Sequence, residues 1–382
     1  GEVYGANHNH LDSGNFQIYY KGILASESGS YIAYGSDYDW AYHKATIAHN
    51  SLLIYDPDET MAKAGVPNTG GQRGPSGEFA TFQDWQEGSF DTKFATVLGY
   101  EFGPDPVTPA YSYIKGDLTN AYSDKVNEVL RSMLFMPTDD AAHPAVFLVM
   151  DKISASNKDF DKYWIMHGQQ EPEIDGNVSV IKRDTDGYNG KLVNQTLYPK
   201  DAAVTAIGSE GHENEFNGVT YPDPPRFGKT SCEEIATWRI DVRPTVKQET
   251  DYFLNAMYVG EADETLPLIQ AKLIETEQML GAKLLGKVAL FAKDAPKLTE
   301  QSFTVPGDET ALDFVVAGLD AGSYEIVANG NTLPEQIATA TGGVIYFTGP
   351  AGTYTVMRKD AGAVRQPVEA EVTAQEIPIK IK

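Results

Sequence analysis

The segment AVFLVM at residues 145–150 is the longest apolar stretch of the 382-residue chain. Six apolar residues fit a strand that is buried on both faces, whereas a helix that spans a bilayer needs about 18. Similar short runs occur on both sides of it, at 16–20 (FQIYY), 52–55 (LLIY), 163–166 (YWIM), 177–181 (NVSVI), 252–258 (YFLNAMY) and 287–291 (KVALF). The sequence therefore predicts an all-β protein without a membrane-spanning segment.

Turn-forming dipeptides separate these runs, with Asp-Gly at 175–176 and Asn-Gly at 217–218. One helix of a few turns is predicted at 265–279, where Pro267 would lie in the first turn. Regularly spaced short strands after residue 300 predict a second, smaller β unit, and the last residues, EIPIKIK, predict a final strand. We therefore expect a large antiparallel β-sandwich at 1–295, followed by a small β-sheet or sandwich domain with a tail at 296–382.

The chain has 54 acidic and 30 basic residues, which give a net charge of −24. Such a charge should repel nucleic acid and anionic membranes, and it disfavours a heavily sulfated substrate. The single cysteine, Cys232, rules out an intramolecular disulfide and a CxxC metal site. The first residues lack the basic and apolar regions of a signal peptide, and the abrupt start predicts a fragment or a processed chain.

Four of the seven histidines lie in the first 50 residues, at 8, 10, 43 and 49. In an extended segment the side chains of residues i and i+2 share a face, so His8 and His10 project together. Paired imidazoles suit a zinc site that a carboxylate or a water completes. The carboxylate candidates are Asp12 and Glu27, and a third imidazole would come from His43 or His49. Asp12 also suits a turn, because it precedes Ser-Gly.

The other three histidines have simpler interpretations. His143 precedes a proline in a loop, and His212 lies in an acidic loop. His167 follows the run YWIM, where a structural role is favoured over a place in a cleft. None of the three is therefore included in the predicted site.

The run NHNHLDSGNFQIYYKGILASESGSY at 7–31 and the run IAHNSLLIYDP at 47–57 resemble the signature region of heparinase II and its relatives among the heparinase II/III-type polysaccharide lyases. The segments GGQR at 70–73 and YWIMHGQQEPEI at 163–174 add to the resemblance. The family order is Asn-His-x-His-Leu-Asp-x-Gly-x-Phe, then a carboxylate between small residues, then Ala-His-Asn. The resemblance covers most of residues 1–360, and its most specific part is the first 55.

The resemblance implies a role for several residues of this chain. The implied zinc ligands are His10, Glu27 and His49, with a mainly structural Zn²⁺ that holds loops around the catalytic histidine, His8. Asn7 would be a polar partner of the substrate carboxylate, and Tyr31 stands where relatives carry a site tyrosine. Arg73 of the GGQR segment is a candidate for binding an anionic sugar, although an exposed loop arginine is often only solvated.

The resemblance also implies the activity. These lyases cleave uronate-containing acidic polysaccharides, such as heparin and heparan sulfate, by β-elimination, which leaves a 4,5-unsaturated uronate. The main tyrosine acid/base of the family lies in an N-terminal helical α/α toroid, which this chain lacks, so that half is an expected partner. The resemblance further implies a periplasmic or secreted bacterial enzyme, and it leaves homodimerisation open.

Two other functions remain open from the sequence. One is a non-catalytic carbohydrate-binding β-sandwich in which zinc only staples loops. The other is a zinc-dependent hydrolase in which an open metal position activates water. An ultraviolet-absorbing product that forms without addition of water separates elimination from hydrolysis.

Overall fold

The computed structural model describes residues 8–29, 38–61, 67–73, 94–220 and 235–360. Strands make up 52% and helices 5% of the structure, so the all-β prediction is confirmed. No helix among the described residues is long and apolar enough to cross a membrane. The predicted final strand at 376–382 lies outside the described residues.

The largest element is an antiparallel eight-stranded sheet. In spatial order its strands are β4 (Thr96–Gly103), β5 (Tyr111–Asp117), β6 (Val126–Pro137), β7 (Ala145–Ala155), β16 (Thr250–Glu261), β11 (Gly190–Tyr198), β10 (Val178–Arg183) and β9 (Glu173–Asp175). A four-stranded antiparallel sheet covers one of its faces. The strands of this second sheet are β12 (Ala203–Gly208), β15 (Trp238–Arg243), β8 (Asp161–Gly168) and β3 (Leu52–Tyr55).

Two further sheets follow on the other side. The first has five strands, β17 (Lys272–Glu275), β18 (Met279–Leu284), β19 (Lys287–Ala292), β21 (Leu312–Ala317) and β24 (Val344–Gly349), of which β19 and β21 are parallel. The second has four, β20 (Glu300–Val305), β25 (Gly352–Asp360), β22 (Gly322–Ala328) and β23 (Asn331–Ala338). A third hydrophobic core separates these two sheets. The predicted boundary between 295 and 296 falls between β19 and β20, and strands from both sides of it share the five-stranded sheet. The division into two domains stays a prediction.

Alternate residues of β7 enter two different cores. Val149 packs between the eight-stranded and the four-stranded sheet, in what we call the first core. Val146, Leu148 and Met150 pack on the opposite face against the five-stranded sheet, in the second core. Side chains of a strand alternate between its faces, so a strand that is covered on both faces must be apolar throughout. This explains the continuous run at 145–150.

The prediction of a helix at 265–279 is wrong. Residues 272–284 form the antiparallel hairpin of β17 and β18 instead. The Oγ1 atom of Thr276 accepts hydrogen bonds from the backbone N–H groups of Gln278 and Met279, at 3.3 and 2.9 Å, which closes a tight turn. Ile274 and Met279 on either side of the turn are buried in the third core. Tertiary burial and turn chemistry outweigh the helical pattern of the segment.

Short elements connect the sheets near their edges. Two-stranded hairpins form from β1 (Ile18–Tyr19) with β2 (Ile23–Ala25) and from β13 (Glu215–Phe216) with β14 (Val219–Thr220). The described helical turns are a π-helical turn at Asp39–His43 and 3₁₀ turns at Thr46–Ala48 and Thr119–Lys125. The β1–β2 hairpin and the first two helical turns carry the predicted site residues to one edge of the four-stranded sheet.

Candidate functional site

Backbone hydrogen bonds hold Glu27 just after β2. Its neighbour Ser26 donates to the carbonyl of His167 at 3.3 Å, and its other neighbour Ser28 donates to the carbonyl of Ala48 at 2.9 Å. The carbonyl of Glu27 itself accepts from Ala236 at 3.1 Å. Glu27 is therefore fixed between the end of β8 and the 3₁₀ turn that precedes His49.

The side chains of His10, Glu27 and His49 meet at one point. One possible ligand atom from each residue lies within 4.8 Å of the other two, and among the described residues this is the one such group of His, Cys, Asp or Glu. His10 Nδ1 is 3.2 Å from His49 Nε2, and His49 Nδ1 is 3.4 Å from Glu27 Oε1. His49 is fully buried, while His10 and Glu27 are half-buried. Glu27 and His49 follow His10 by 17 and 39 positions in the chain, yet the three side chains form one cluster of potential metal ligands.

Two asparagines position this cluster. Asn15 donates from Nδ2 to Glu27 Oε1 at 3.0 Å, and its Oδ1 accepts from the backbone N–H of Asn50 at 2.9 Å. The amide of Asn50 donates to the carbonyls of Phe16 and Ser26, at 2.7 and 3.1 Å. Because Asn50 directly follows His49, these bonds fix the His49 imidazole and the Glu27 carboxylate relative to each other.

A buried ion pair lies beneath the asparagines. Arg131 of β6 and Asp151 of β7 are almost fully buried and form two parallel bonds, Nε–Oδ1 at 2.6 Å and Nη2–Oδ2 at 3.2 Å. The remaining guanidinium nitrogen, Nη1, donates to the carbonyls of Gly14 and Asn50, at 2.7 and 3.1 Å. The large sheet is thereby joined to both loops that carry the histidines.

The surroundings of the cluster shift the pKa values of two of its members. Burial, with the neighbouring His49 and His43, lowers the pKa of His10 to about 4. The neighbouring His49 leads the interactions that lower the pKa of Glu27 to about 2. At neutral pH the His10 imidazole is neutral and the Glu27 carboxylate is ionised, which are the forms that bind a metal ion.

One buried atom of the cluster has no hydrogen-bond partner among the described residues. His49 Nδ1 is inaccessible to solvent, and its 3.4 Å contact with Glu27 lacks hydrogen-bond geometry. A buried, unsatisfied nitrogen is costly, and buried polar atoms almost always have a partner. Two imidazoles and one carboxylate also match a common donor set of zinc. The residues present therefore fit a zinc ion.

The other predicted site residues have different outcomes. His8 is exposed and lies two positions before His10 in the chain. Asn7 and Tyr31 lie outside the described residues. The ring of His43 lies 4.6 Å from that of His10, edge to face, but its Nδ1 is 2.9 Å from Asp39 Oδ1 and it is outside the metal-ligand group. The carbonyl of Asp12 accepts a turn hydrogen bond from Asn15 at 2.9 Å.

Arg73 lies outside the cluster, on a loop that is bonded to the segment carrying His10. The preceding residue, Gln72, is buried, and its amide donates to the carbonyl of Ser13 at 2.7 Å and accepts from the N–H of Ser13 at 3.0 Å. The backbone N–H of Gln72 donates to Thr46 Oγ1, which in turn donates to the carbonyl of Leu11. The GGQR loop is therefore tied to the segment that carries His10.

Sequence reasoning missed Asn15, Asn50 and Gln72 as positioning residues. Each stands next to a motif residue, which was the one available signal. Their partners lie 12 to 59 positions away in the chain, so a local pattern cannot reveal them. In sequence they look like ordinary polar loop residues.

Two family models match the chain. The model described as "Heparinase II/III-like, C-terminal" matches residues 1–216, which are more than half of the 382 residues. The model described as "Heparinase II C-terminal domain" matches residues 273–358. No match to a curated protein was found.

Solved structures are also similar to the chain. "Heparinase III-BT4657 gene product" is 14% identical with a TM-score of 0.47, and the alignment covers 75% of this chain and 37% of that one. "Crystal Structure of Heparinase III" is 14% identical with a TM-score of 0.44, and the alignment covers 74% of this chain and 36% of that one. The chain thus spans little more than a third of the length of these two proteins.

Proposed function

Because a family model matches more than half of its length, the chain belongs to the heparinase II/III-like family, and we propose that it is the β-rich part of a polysaccharide lyase. The substrate is a uronate-containing acidic polysaccharide of the heparin or heparan sulfate kind, and the reaction is β-elimination. The observation that carries the proposal is the convergence of His10, Glu27 and His49 two residues from the exposed His8.

The chemistry of elimination explains the choice of residues. Removal of the weakly acidic C5 proton of a uronate builds negative charge on its carboxylate, which a neutral amide or another donor must stabilise. Asn7 would supply that donor. A base takes the proton and an acid protonates the departing O4. An imidazole can both accept and donate a proton, so His8 is suited to either transfer, and Tyr31 would be a further proton-transfer group.

The neighbouring cluster would hold Zn²⁺ through His10, Glu27 and His49. When bound, the ion supplies three fixed bonds between loops and serves structure rather than proton transfer. His10 and Glu27 precede and follow the β1–β2 hairpin, and His49 lies on the segment that joins the helical turns to β3. Holding these segments together keeps His8 at a constant position relative to Asn15 and Asn50.

The proposed active site needs a second part. Elimination requires a proton acceptor, a proton donor and a charge stabiliser around one sugar, and the chain offers His8 and Asn7 with Tyr31. The solved heparinase III structures are almost three times as long as the aligned part of this chain. We propose that an N-terminal helical toroid supplies the main acid/base and the opposite wall of the cleft.

The decisive experiment follows ultraviolet absorbance of the unsaturated product. The complete polypeptide, with its upstream part, is incubated with heparin, heparan sulfate or alginate, and residues 1–382 alone serve as the comparison. We expect absorbance only when both parts are present. Release of reducing ends without absorbance would indicate hydrolysis, and binding without any cleavage would indicate a carbohydrate-binding module. Full activity of residues 1–382 alone would refute the division of the active site.

A further inference from the structure

A second polar site lies next to the GGQR loop. A cavity of about 290 Å³ opens there, and its lining among the described residues is Asp56, Glu59, Thr60, Arg73, Ser123, Asp124, Lys125 and Ser156. Every one of these side chains is charged or hydroxyl-bearing. A cavity with such a lining suits a ligand that carries many hydroxyl groups and one charge.

The floor of the cavity is rigid. Lys125 is buried and its Nζ donates to Glu59 Oε2 at 2.6 Å and to the carbonyl of Gly71 at 2.7 Å. Ser123 donates to the other oxygen of Glu59, Oε1, at 2.8 Å. These bonds satisfy the charges of both Lys125 and Glu59 within the protein. Neither residue is therefore available as the main contact of a charged ligand.

Arg73 differs from Lys125 in this respect. Its backbone is fixed by a hydrogen bond from its N–H to the carbonyl of Ala121 at 2.7 Å. Within the part of the chain that the structure describes, its buried Nε atom has no hydrogen-bond partner and its guanidinium forms no ion pair with a carboxylate. In a chain with 54 acidic residues, an arginine that lines a cavity without an ion-pair partner indicates a place for an external anion.

The backbone at this cavity is strained. Ser123 has φ 61° and ψ −165°, a region that glycine occupies readily and a serine rarely does. The adjacent Tyr122 is fully buried and donates to the carbonyl of Leu52 at 2.9 Å, which holds the strained turn in place. Ser123 and Asp124 of this turn both line the cavity. Strained residues of this kind concentrate at ligand sites.

We propose that this cavity is a subsite for one unsulfated uronate residue of the polysaccharide. Arg73 binds the sugar carboxylate, and the carboxylates of Asp56 and Asp124 accept hydrogen bonds from free sugar hydroxyl groups. The subsite is separate from the His10 cluster, and Gln72 bonds its loop to the segment that carries His10. This inference rests on the proposed function, since it assumes an acidic polysaccharide as the ligand.

The charges of the cavity determine which sugar fits. Once the Lys125–Glu59 pair is set aside, one cation faces the two carboxylates of Asp56 and Asp124. A sugar with a single carboxylate meets the arginine and leaves its hydroxyls to the aspartates. Each added sulfate places another negative charge near those aspartates, where no second unpaired cation of the described lining offsets it. The subsite therefore selects against sulfation.

The test measures binding of two defined tetrasaccharides to residues 1–382 by calorimetry. One probe alternates glucuronate with N-acetylglucosamine and is unsulfated, and the other is a fully sulfated heparin tetrasaccharide. We expect the unsulfated probe to bind more tightly. Arg73→Gln should weaken its binding by about tenfold or more, the usual effect of losing a charge-assisted hydrogen bond. Arg243→Gln removes the same charge from an exposed arginine outside the cavity and should change Kd less than twofold.

A third variant tests selectivity. Asp124→Asn should narrow the difference in Kd between the two probes, because one of the repelling carboxylates becomes neutral. Equal losses in the Arg73 and Arg243 variants, tighter binding of the heparin probe, or no binding of the unsulfated probe would each overturn the proposal.

The subsite and the proposed activity fail separately. If the complete polypeptide forms no unsaturated product but residues 1–382 still bind in an Arg73-dependent way, the lyase function is wrong and the subsite stands. If the complete Arg73→Gln enzyme eliminates with an unchanged KM, the subsite is wrong and the lyase function stands.

Discussion

Replacing His10 by alanine should abolish zinc binding with little other damage to the fold. His10 is half-buried, so its removal leaves no large cavity, unlike removal of the fully buried His49. It also takes one of the three donors from the cluster. The substitution therefore separates loss of metal from loss of core packing.

The size of the effect follows from mass action and chain length. An ion that binds only the folded state stabilises it by about 4 kcal/mol when free metal is ~1,000 times its dissociation constant. The entropy of unfolding is about 2.1 cal/mol/K per residue, which gives ~0.8 kcal/mol/K for a chain of this length that unfolds as one unit. Zinc should thus raise the Tm of the parent chain by about 5 °C. The Tm of the His10→Ala variant should not respond to zinc.

The assay combines metal analysis of purified protein with calorimetry before and after mild chelation. His43→Ala is the matched control, because its ring lies 4.6 Å from His10 while its Nδ1 lies against Asp39. This control should lower the Tm through the lost Asp39 contact and still retain one zinc per chain and the full shift. Equal zinc in the parent and in His10→Ala, or loss of zinc in His43→Ala, would refute the ligand assignment.

Three further predictions concern turnover, pH and the buried ion pair. In the complete enzyme, His8→Ala should lower kcat by about 100-fold or more at unchanged zinc content, as general acid–base groups do, and loss of zinc would instead make His8 a ligand. The folded-state pKa of His10 is lowered from 6.5 to about 4, so protonation favours the unfolded chain between these values. In the metal-free chain, the neutral His10 imidazole should therefore contribute fully to the free energy of unfolding above pH 6.5, and about 2 kcal/mol of this contribution, after solvent screening, should be lost as pH falls toward 4. A His10→Ala chain whose free energy of unfolding in urea depends on pH in the same way would contradict this. Asp151→Ala leaves the buried Arg131 without its partner and should lower the free energy of unfolding in urea by about 3–5 kcal/mol. Asp175→Ala, at an exposed strand end, should lower it by under about 0.5 kcal/mol. Equal losses in the two variants would contradict the role of the pair.

The strands that the sequence revealed most clearly are those whose environment matches their pattern. The run LLIY predicts β3 with both of its ends, because Leu52, Leu53 and Ile54 are fully buried and hydrophobic residues recur for that reason. Strand β23 (Asn331–Ala338) was missed. It is mostly exposed, polar and interrupted by Pro334, so burial left almost no apolar signal in its sequence. Its pairing with β22 supplies the order that its own residues do not.

The candidate site divides in a similar way. The resemblance selected His10, Glu27 and His49 as ligands, whereas the spacing of residues alone also left Asp12 and His43 open. In the structure the side chains of the three selected residues meet, while Asp12 belongs to a turn and His43 lies against Asp39. That outcome depends on contacts between distant segments, such as the bond from Leu11 N–H to the carbonyl of Lys44 at 2.8 Å. Local patterns carry no information about such contacts.

Burial of both faces of β7 limits where the chain can be truncated and which of its regions can be exchanged. Because Val149 and Leu148 belong to different cores, the eight-stranded sheet packs against the four-stranded sheet on one face and against the five-stranded sheet on the other. A truncation before Lys272 would remove the five-stranded sheet and expose apolar residues of β5, β6, β7 and β16 to water. Exchanging one of the regions matched by the two family models between relatives should therefore succeed only if the contacting residues of the eight-stranded sheet are exchanged with it.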